Sequence, residues 1–219
     1  LNSSFQTQVD SAIRNLDAVS VNINYSNQSK TILDNSFNLN ISSNMLSAMS
    51  DLFISLSGTE LKADQVNLYD FSGYVLEAGI STIVKKTDGS KDEWIEVARE
   101  LEGKKVLTPP YCTREYTKTA TYDQWFISLY RSFNNQYKRG VGVIETAKQC
   151  KSVFKSIITY KKKNHEDAAS IYVFDSNGDL IYPYDISQEY KAALQPYYEL
   201  TKGDDSALTF ISPLTGKTE

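Results

Sequence analysis

Cysteine, histidine, proline and glycine are all scarce in this chain of 219 residues, at two, one, five and ten. Two cysteines are too few for a disulfide framework. Cys112 and Cys150 also lie too far apart for a CxxC redox or zinc motif, so one bond or two separate thiols both stay open. The one histidine, His165, sits in the polar run Asn164-His165-Glu166-Asp167 and has no cysteine spaced as its nucleophile partner. GxSxG, HExxH and Walker-type loops are missing, and Gly140-Val141-Gly142 lacks the third glycine of a dinucleotide turn. Asp175-x-Asn177-x-Asp179 starts like a calcium loop, but its glycine comes two residues early and no glutamate closes it. No catalytic residue, cofactor or metal is implied. An apolar run of the roughly 20 residues that span a bilayer is also missing. The net charge of −4 gives no electrostatic footprint for nucleic acid. Lys161-Lys162-Lys163 reads as a solvated helix end that complements the helix dipole.

What the chain does have is a repeat. Val66-Asn67-Leu68-Tyr69-Asp70-Phe71-Ser72-Gly73-Tyr74-Val75-Leu76 returns as Ile171-Tyr172-Val173-Phe174-Asp175-Ser176-Asn177-Gly178-Asp179-Leu180-Ile181. Each copy runs from alternating apolar residues through Asp-x-x-Gly into a second apolar run. That is a strand, a tight turn opened by Asp and closed by Gly, and a returning strand. Two matched copies predict one supersecondary unit used twice, hence two related domains.

Around the repeat, Phe5, Val9, Ile13, Leu16, Val19 and Ile23 recur at helical spacing, and no Pro or Gly precedes Gly58. One long helix to about residue 33 is expected, its single apolar stripe packed on a sheet or on a second subunit. A polar break follows, then a helix from about residue 43 to 57. The first hairpin (65–77), an extended segment (80–85), a short helix (92–101) and a strand (105–108) come next. Residues 109–124 read as a loop after Pro109-Pro110, with strands at 125–133 and 140–146 beyond it. A helix over 147–163 closes the first unit. The second copy offers a hairpin (170–183), a helix (187–201) and a strand (207–212), and lacks the two long strands of the first. The fold class is therefore α+β, with helices against mainly antiparallel sheets. It divides into a leading helix and linker (1–41), a first module (42–166) and a partial second module (167–219).

The 109–124 segment brings aromatic and charged residues beside a strand, as pockets for small polar molecules do. Tyr111, Arg114, Trp125, Tyr130 and Arg131 are expected to approach one cavity. Arg131 and Glu145 are charged residues within strands, either facing that cavity or forming a cross-strand pair on a solvated face.

Taken in order, these segments resemble the double Cache extracytoplasmic sensor domain, a PAS-like tandem. The narrower resemblance is to the sensor domains of YesM-like histidine kinases of Gram-positive bacteria. It is carried by Asp17-Ala18-Val19-Ser20-Val21-Asn22-Ile23-Asn24-Tyr25-Ser26-Asn27, Asn67-Leu68-Tyr69-Asp70-Phe71-Ser72-Gly73 and Pro109-Pro110-Tyr111. Ile127-Ser128-Leu129-Tyr130-Arg131, Gly142-Val143-Ile144-Glu145 and Ile171-Tyr172-Val173-Phe174-Asp175-Ser176-Asn177-Gly178 continue it. The resemblance implies the sensing part of a two-component receptor on the extracytoplasmic side of the cell membrane, anchored by transmembrane helices outside these residues. It implies a homodimer in the full-length receptor, whose kinase activity would reside elsewhere. The distal module would bind a small molecule, carbohydrate-derived ones included, or a ligand-loaded binding protein, and the proximal module would relay the change. The ectodomain of a methyl-accepting chemotaxis receptor is the alternative. Trp94 occupies the place of the family's helix tryptophan. Where amino-acid-binding members carry an arginine two residues earlier, this chain has Asp92. That departure argues against an amino acid held in the usual way and suits a polyol, a sugar or a cation better.

Overall fold

A computed structural model describes residues 2–33, 43–58, 61–78, 82–116, 121–134, 140–164 and 170–201. The leading helix forms where the apolar spacing places it, as α1 (Asn2–Tyr25) and α2 (Asn27–Leu33). The break falls at Ser26, whose hydroxyl accepts from the Ser29 N–H at 3.2 Å and so caps α2. An N-cap interrupts a helix here without any Pro or Gly. Helix α3 (Ser43–Ser57) buries Met49, Leu52 and Phe53.

The sheet is entirely antiparallel. It contains β1 (Gln65–Asp70), β2 (Tyr74–Ala78), β3 (Thr82–Lys86), β4 (Lys105–Leu107), β5 (Tyr111–Tyr116), β6 (Thr121–Asn134) and β7 (Gly140–Gln149). The order is β3-β2-β1-β7-β6-β4, and β5 also pairs with β6, at residues 121–126, ahead of the 129–131 stretch that pairs with β4. Residues 111–116 are thus a strand, where a loop is expected from the sequence. Pairing with residues 121–126 of β6 satisfies their backbone groups. Strand β7 likewise runs three residues beyond the expected end. The expected helix then arrives as two pieces, α5 (Cys150–Val153) and α6 (Lys155–Asn164). Gly142 is fixed by packing: a Cβ there would stand 2.2 Å from the Tyr69 carbonyl oxygen of β1.

The two faces of the sheet have different partners. Leu16, Val19 and Ile23 of α1 and Met49 and Phe53 of α3 cover one face, packing on Val66, Leu68, Leu76, Leu129, Phe133 and Ile144. The other face meets helix α4 (Asp92–Glu100), whose Ile95 and Ala98 pack on Tyr69, Val75, Tyr130 and Val143. Helix α4 covers only part of that face, and the remainder is where the site lies.

The second copy of the repeat is the short hairpin β8 (Val173–Phe174) and β9 (Leu180–Tyr182), followed by α7 (Gln188–Thr201). Its turn has the chemistry of the first. Asp70 Oδ1 accepts from the N–H groups of Ser72 and Tyr74, as Asp175 Oδ1 does from Asn177 and Asp179. Gly73 and Gly178 take φ of 85° and 91°. Ile181 and Tyr182 share a core with Phe5 and Val9 of α1, Ile127 of β6 and Phe154. Helix α1 is therefore embedded in both units. The strand expected at 207–212 lies outside the described residues.

Candidate functional site

Strand register alone concentrates polar groups on the open part of the sheet. Glu145, in the middle of β7, is paired across β1 with Asn67 and across β6 with Tyr130. Tyr69 and Ser128 stand two residues further along on the same face, within reach of a long side chain. Glu145 is 1% exposed. Its Oε2 accepts hydrogen bonds from Asn67 Nδ2 (2.9 Å) and the Tyr69 hydroxyl (2.7 Å). Its Oε1 accepts from the hydroxyls of Ser128 (2.6 Å) and Tyr111 (3.0 Å), and from Lys91 Nζ (3.3 Å). Five donors from β1, β5, β6 and the residue before α4 meet on one carboxylate.

Burial, the largest single influence, pushes the Glu145 carboxyl up. The Lys91 ammonium and the hydrogen bonds from Ser128, Tyr69 and Asn67 outweigh it and hold the group below the usual carboxylate range. Burial pushes the phenols of Tyr69, Tyr111 and Tyr130 upward, and the Glu145 charge adds to that shift. All three therefore stay protonated, and Tyr69 and Tyr111 donate. The Tyr130 hydroxyl is buried and has no hydrogen-bond partner among the described residues.

Lys91 belongs to a preformed loop. Asp88 Oδ1 accepts from the N–H and the hydroxyl of Ser90, and Gly89 takes φ of 78°. Lys91 is the N-cap residue of α4, and its carbonyl accepts the Ile95 N–H. The ammonium lies 3.7 Å from the centroid of the Tyr111 ring, which is stacked on Phe126. Above this group opens a cavity of about 830 Å³ between the sheet, the 87–92 loop and the end of α3. Asn67, Tyr69, Lys91, Tyr111, Gln124 and Phe126 are among its lining residues.

The expected site residues divide. Tyr111 lines this cavity and donates to Glu145 beneath it, and Tyr130 lies on the same face beneath α4. Trp94 is half-buried in the α4 cluster, outside the lining. The side chain of Arg114 lies outside the described residues. Trp125 and Arg131 do not join the others, which corrects the expectation of one cavity. Both point to the opposite face, because odd-numbered residues of β6 turn away from Ser128 and Tyr130. Trp125 packs on Tyr184 at a centroid distance of 5.8 Å. Arg131 binds Asp17 and Ser20 of α1 and the Gly103 carbonyl. The alternative of an exposed Arg131–Glu145 pair is corrected for the same reason: β6 places Tyr130 opposite Glu145. Asn67, Tyr69, Lys91 and Ser128 were not expected at a site. Their signal was a lone acidic residue, Glu145, directly after the apolar run Val141–Ile144 in the same strand, which needs buried donors.

Cys112 is exposed and Cys150 buried, with no bond between them. Burial pushes the Cys150 thiol up to about 12, which makes it inert. Among the described residues no group of three or more His, Cys, Asp or Glu could hold a metal ion, and no helix is long and apolar enough to cross a membrane.

By sequence the chain matches no family description and no curated protein. By structure it is similar to the periplasmic sensory domain of the Campylobacter jejuni chemoreceptor Tlp1, with a TM-score of 0.58 at 13% identity, covering 96% of this chain and 82% of that one. The ligand-binding domain of C. jejuni chemoreceptor Tlp3, solved in complex with L-valine, gives 0.52 at 14% identity, covering 99% and 86%. The ligand-binding domain of the Pseudomonas aeruginosa amino acid chemoreceptor PctC, in complex with GABA, gives 0.52 at 10%, covering 84% and 71%. At such identities the likeness concerns architecture. The long leading helix and curled antiparallel sheet of this α+β chain are those of Cache-type sensor domains.

Proposed function

We propose that this chain is the extracytoplasmic ligand-sensing part of a membrane-bound receptor, and that its ligand enters the cavity above Glu145. The carrying observation is the buried carboxylate fixed by five donors at the edge of an 830 Å³ cavity. A purely structural sheet has no use for such a group, because apolar residues of similar size stabilise at least as well. The cavity is large enough for a small molecule and combines aromatic walls with directional polar groups. Tyr111 and Glu145 are assigned to the site together with Asn67, Tyr69 and Lys91.

In this reading residues 42–166 bind and residues 167–219 relay. Helix α1 links the two, since it is pinned to β6 through Asp17 and Arg131 and packs on Tyr182 at its other end. Ligand would favour one of two placements of α1, a population shift set by its differential affinity. The receptor we favour is a two-component histidine kinase that works as a homodimer. A chemotaxis receptor is the second reading, supported by the likeness to Tlp1, Tlp3 and PctC.

Thermal-shift screening of the chain against sugars, polyols, amino acids and amines tests the proposal. A ligand at one hundred times its dissociation constant adds about 2.7 kcal/mol of stability. A saturable shift that Tyr111→Ala abolishes is expected. No shift with any class would overturn the small-molecule reading and leave a ligand-loaded protein as the partner.

A further inference from the structure

We propose that Lys91 is a tethered occupant of the ligand site, and that the ligand carries an ammonium or quaternary ammonium group that expels it. The inference rests on the reading of this cavity as the ligand site and names its ligand class. The place that Lys91 fills has the parts of a cation cage. A fully buried carboxylate lies 3.3 Å from the ammonium and an aromatic face lies 3.7 Å from it. Glu145 itself does not line the cavity. Lys91 lines the cavity above it together with Asn67, Tyr69 and Tyr111, with 21% of its own side chain exposed.

Charge decides which ligand could compete. The cavity is lined by the carboxylates of Asp64, Glu77, Asp88 and Asp92 against the ammonium groups of Lys85 and Lys91. Lys85 is already paired with Glu77 at 2.8 Å. An anion would therefore meet a surplus of carboxylates, while a cation gains both that field and the Glu145 cage. The lysine leaves only as another cation takes its place, because its charge is the largest influence holding the buried Glu145 carboxyl ionised. Its stem is flexible and its side chain is partly exposed, while Glu145 keeps four neutral donors.

A protein that must first evict its own lysine binds with an affinity reduced by the fraction of time the cage stands open. Removing the lysine removes that factor. Lys91→Met should therefore bind tetramethylammonium at least about tenfold more tightly than the unaltered chain in calorimetry, and Lys91→Ala should do the same. The unaltered chain gives an independent readout through acylation of its lysines, followed by mass spectrometry. Lys91 should be protected in sodium chloride and become reactive in tetramethylammonium chloride, while Lys104 and Lys155, exposed and outside the cavity lining, stay unchanged. Unchanged affinity in the variants, or protection that increases with the cation, overturns the proposal. A sugar or anion that shifts the melting temperature of the unaltered chain and loses affinity in Lys91→Met would make Lys91 a direct ligand contact. In that case the ligand site stands and the tethered-occupant reading falls. If neither cations nor any other small molecule bind to either protein, both readings fall together.

Discussion

Ile144 and Glu145 are consecutive residues of β7 and are equally buried, yet they face two different interiors. On the Ile144 side, side chains of α1 and α3 fill the space with hydrocarbon. On the Glu145 side, β1, β5, β6 and the 87–92 loop supply hydrogen bonds to one charge and leave a cavity beside it. The first arrangement is non-directional: any set of apolar residues of the right volume would serve. The second depends on each partner, and that makes it a site rather than a core. Polar contacts reach the apolar side as well: Arg131 and Lys105 hold Asp17 of α1, and the Thr146 hydroxyl donates to the Leu16 carbonyl.

Four substitutions sharpen the contrast. Leu129→Ala, on the apolar side, should have the largest effect on folding, about 3 kcal/mol in urea titration, with ligand affinity of the folded fraction unchanged. Glu145→Gln should cost less stability, about 2 kcal/mol, while abolishing cation binding. It should also change the response to acid. With its pKa lowered by folding, Glu145 contributes stability that is complete above its unfolded value of about 4.3 and is lost as the pH falls through its folded value. Stability measured from pH 7 to pH 2 should thus fall more steeply for the unaltered chain than for Glu145→Gln; parallel curves would show that the carboxylate contributes nothing. Asp17→Asn should cost about 1 kcal/mol, because the pair with Arg131 is half-buried. Its distinctive readout is hydrogen exchange, faster in α1 and unchanged at β1. Ser128→Ala should have the smallest effect, below about 1 kcal/mol, since four donors remain on Glu145. A loss there as large as for Glu145→Gln would mean that the network fails as a unit.

The apolar side of the sheet was the more legible in sequence. The stripe of α1 and both Asp-x-x-Gly turns are local patterns, and they form where spacing and turn chemistry place them. The polar side is assembled from residues 67, 69, 91, 111, 128 and 145, brought together only by strand register, which one sequence does not specify. Arg131 is instructive. The alternation along β6 already grouped it with Trp125, Ile127 and Leu129, away from Tyr130, so expecting both at one cavity conflicted with the strand's own period. Residues 111–116 were hidden for another reason: polar side chains after Pro109-Pro110 look like a loop until β6 offers them a partner. Lys91 gave no signal, because a lysine beside a helix start is ordinarily solvated.

The two tryptophans stand where they could divide the labour of observation. Trp94 lies in the α4 cluster behind the 87–92 loop, and Trp125 lies against Tyr184 at the seam with the second hairpin. Each can be changed to Phe without touching the Glu145 network. The emission of the one that remains would then follow one event in isolation, cavity opening through Trp94 or movement at the seam through Trp125. Stopped-flow fluorescence on the pair of single-tryptophan proteins would give the order in which the two ends of the molecule respond.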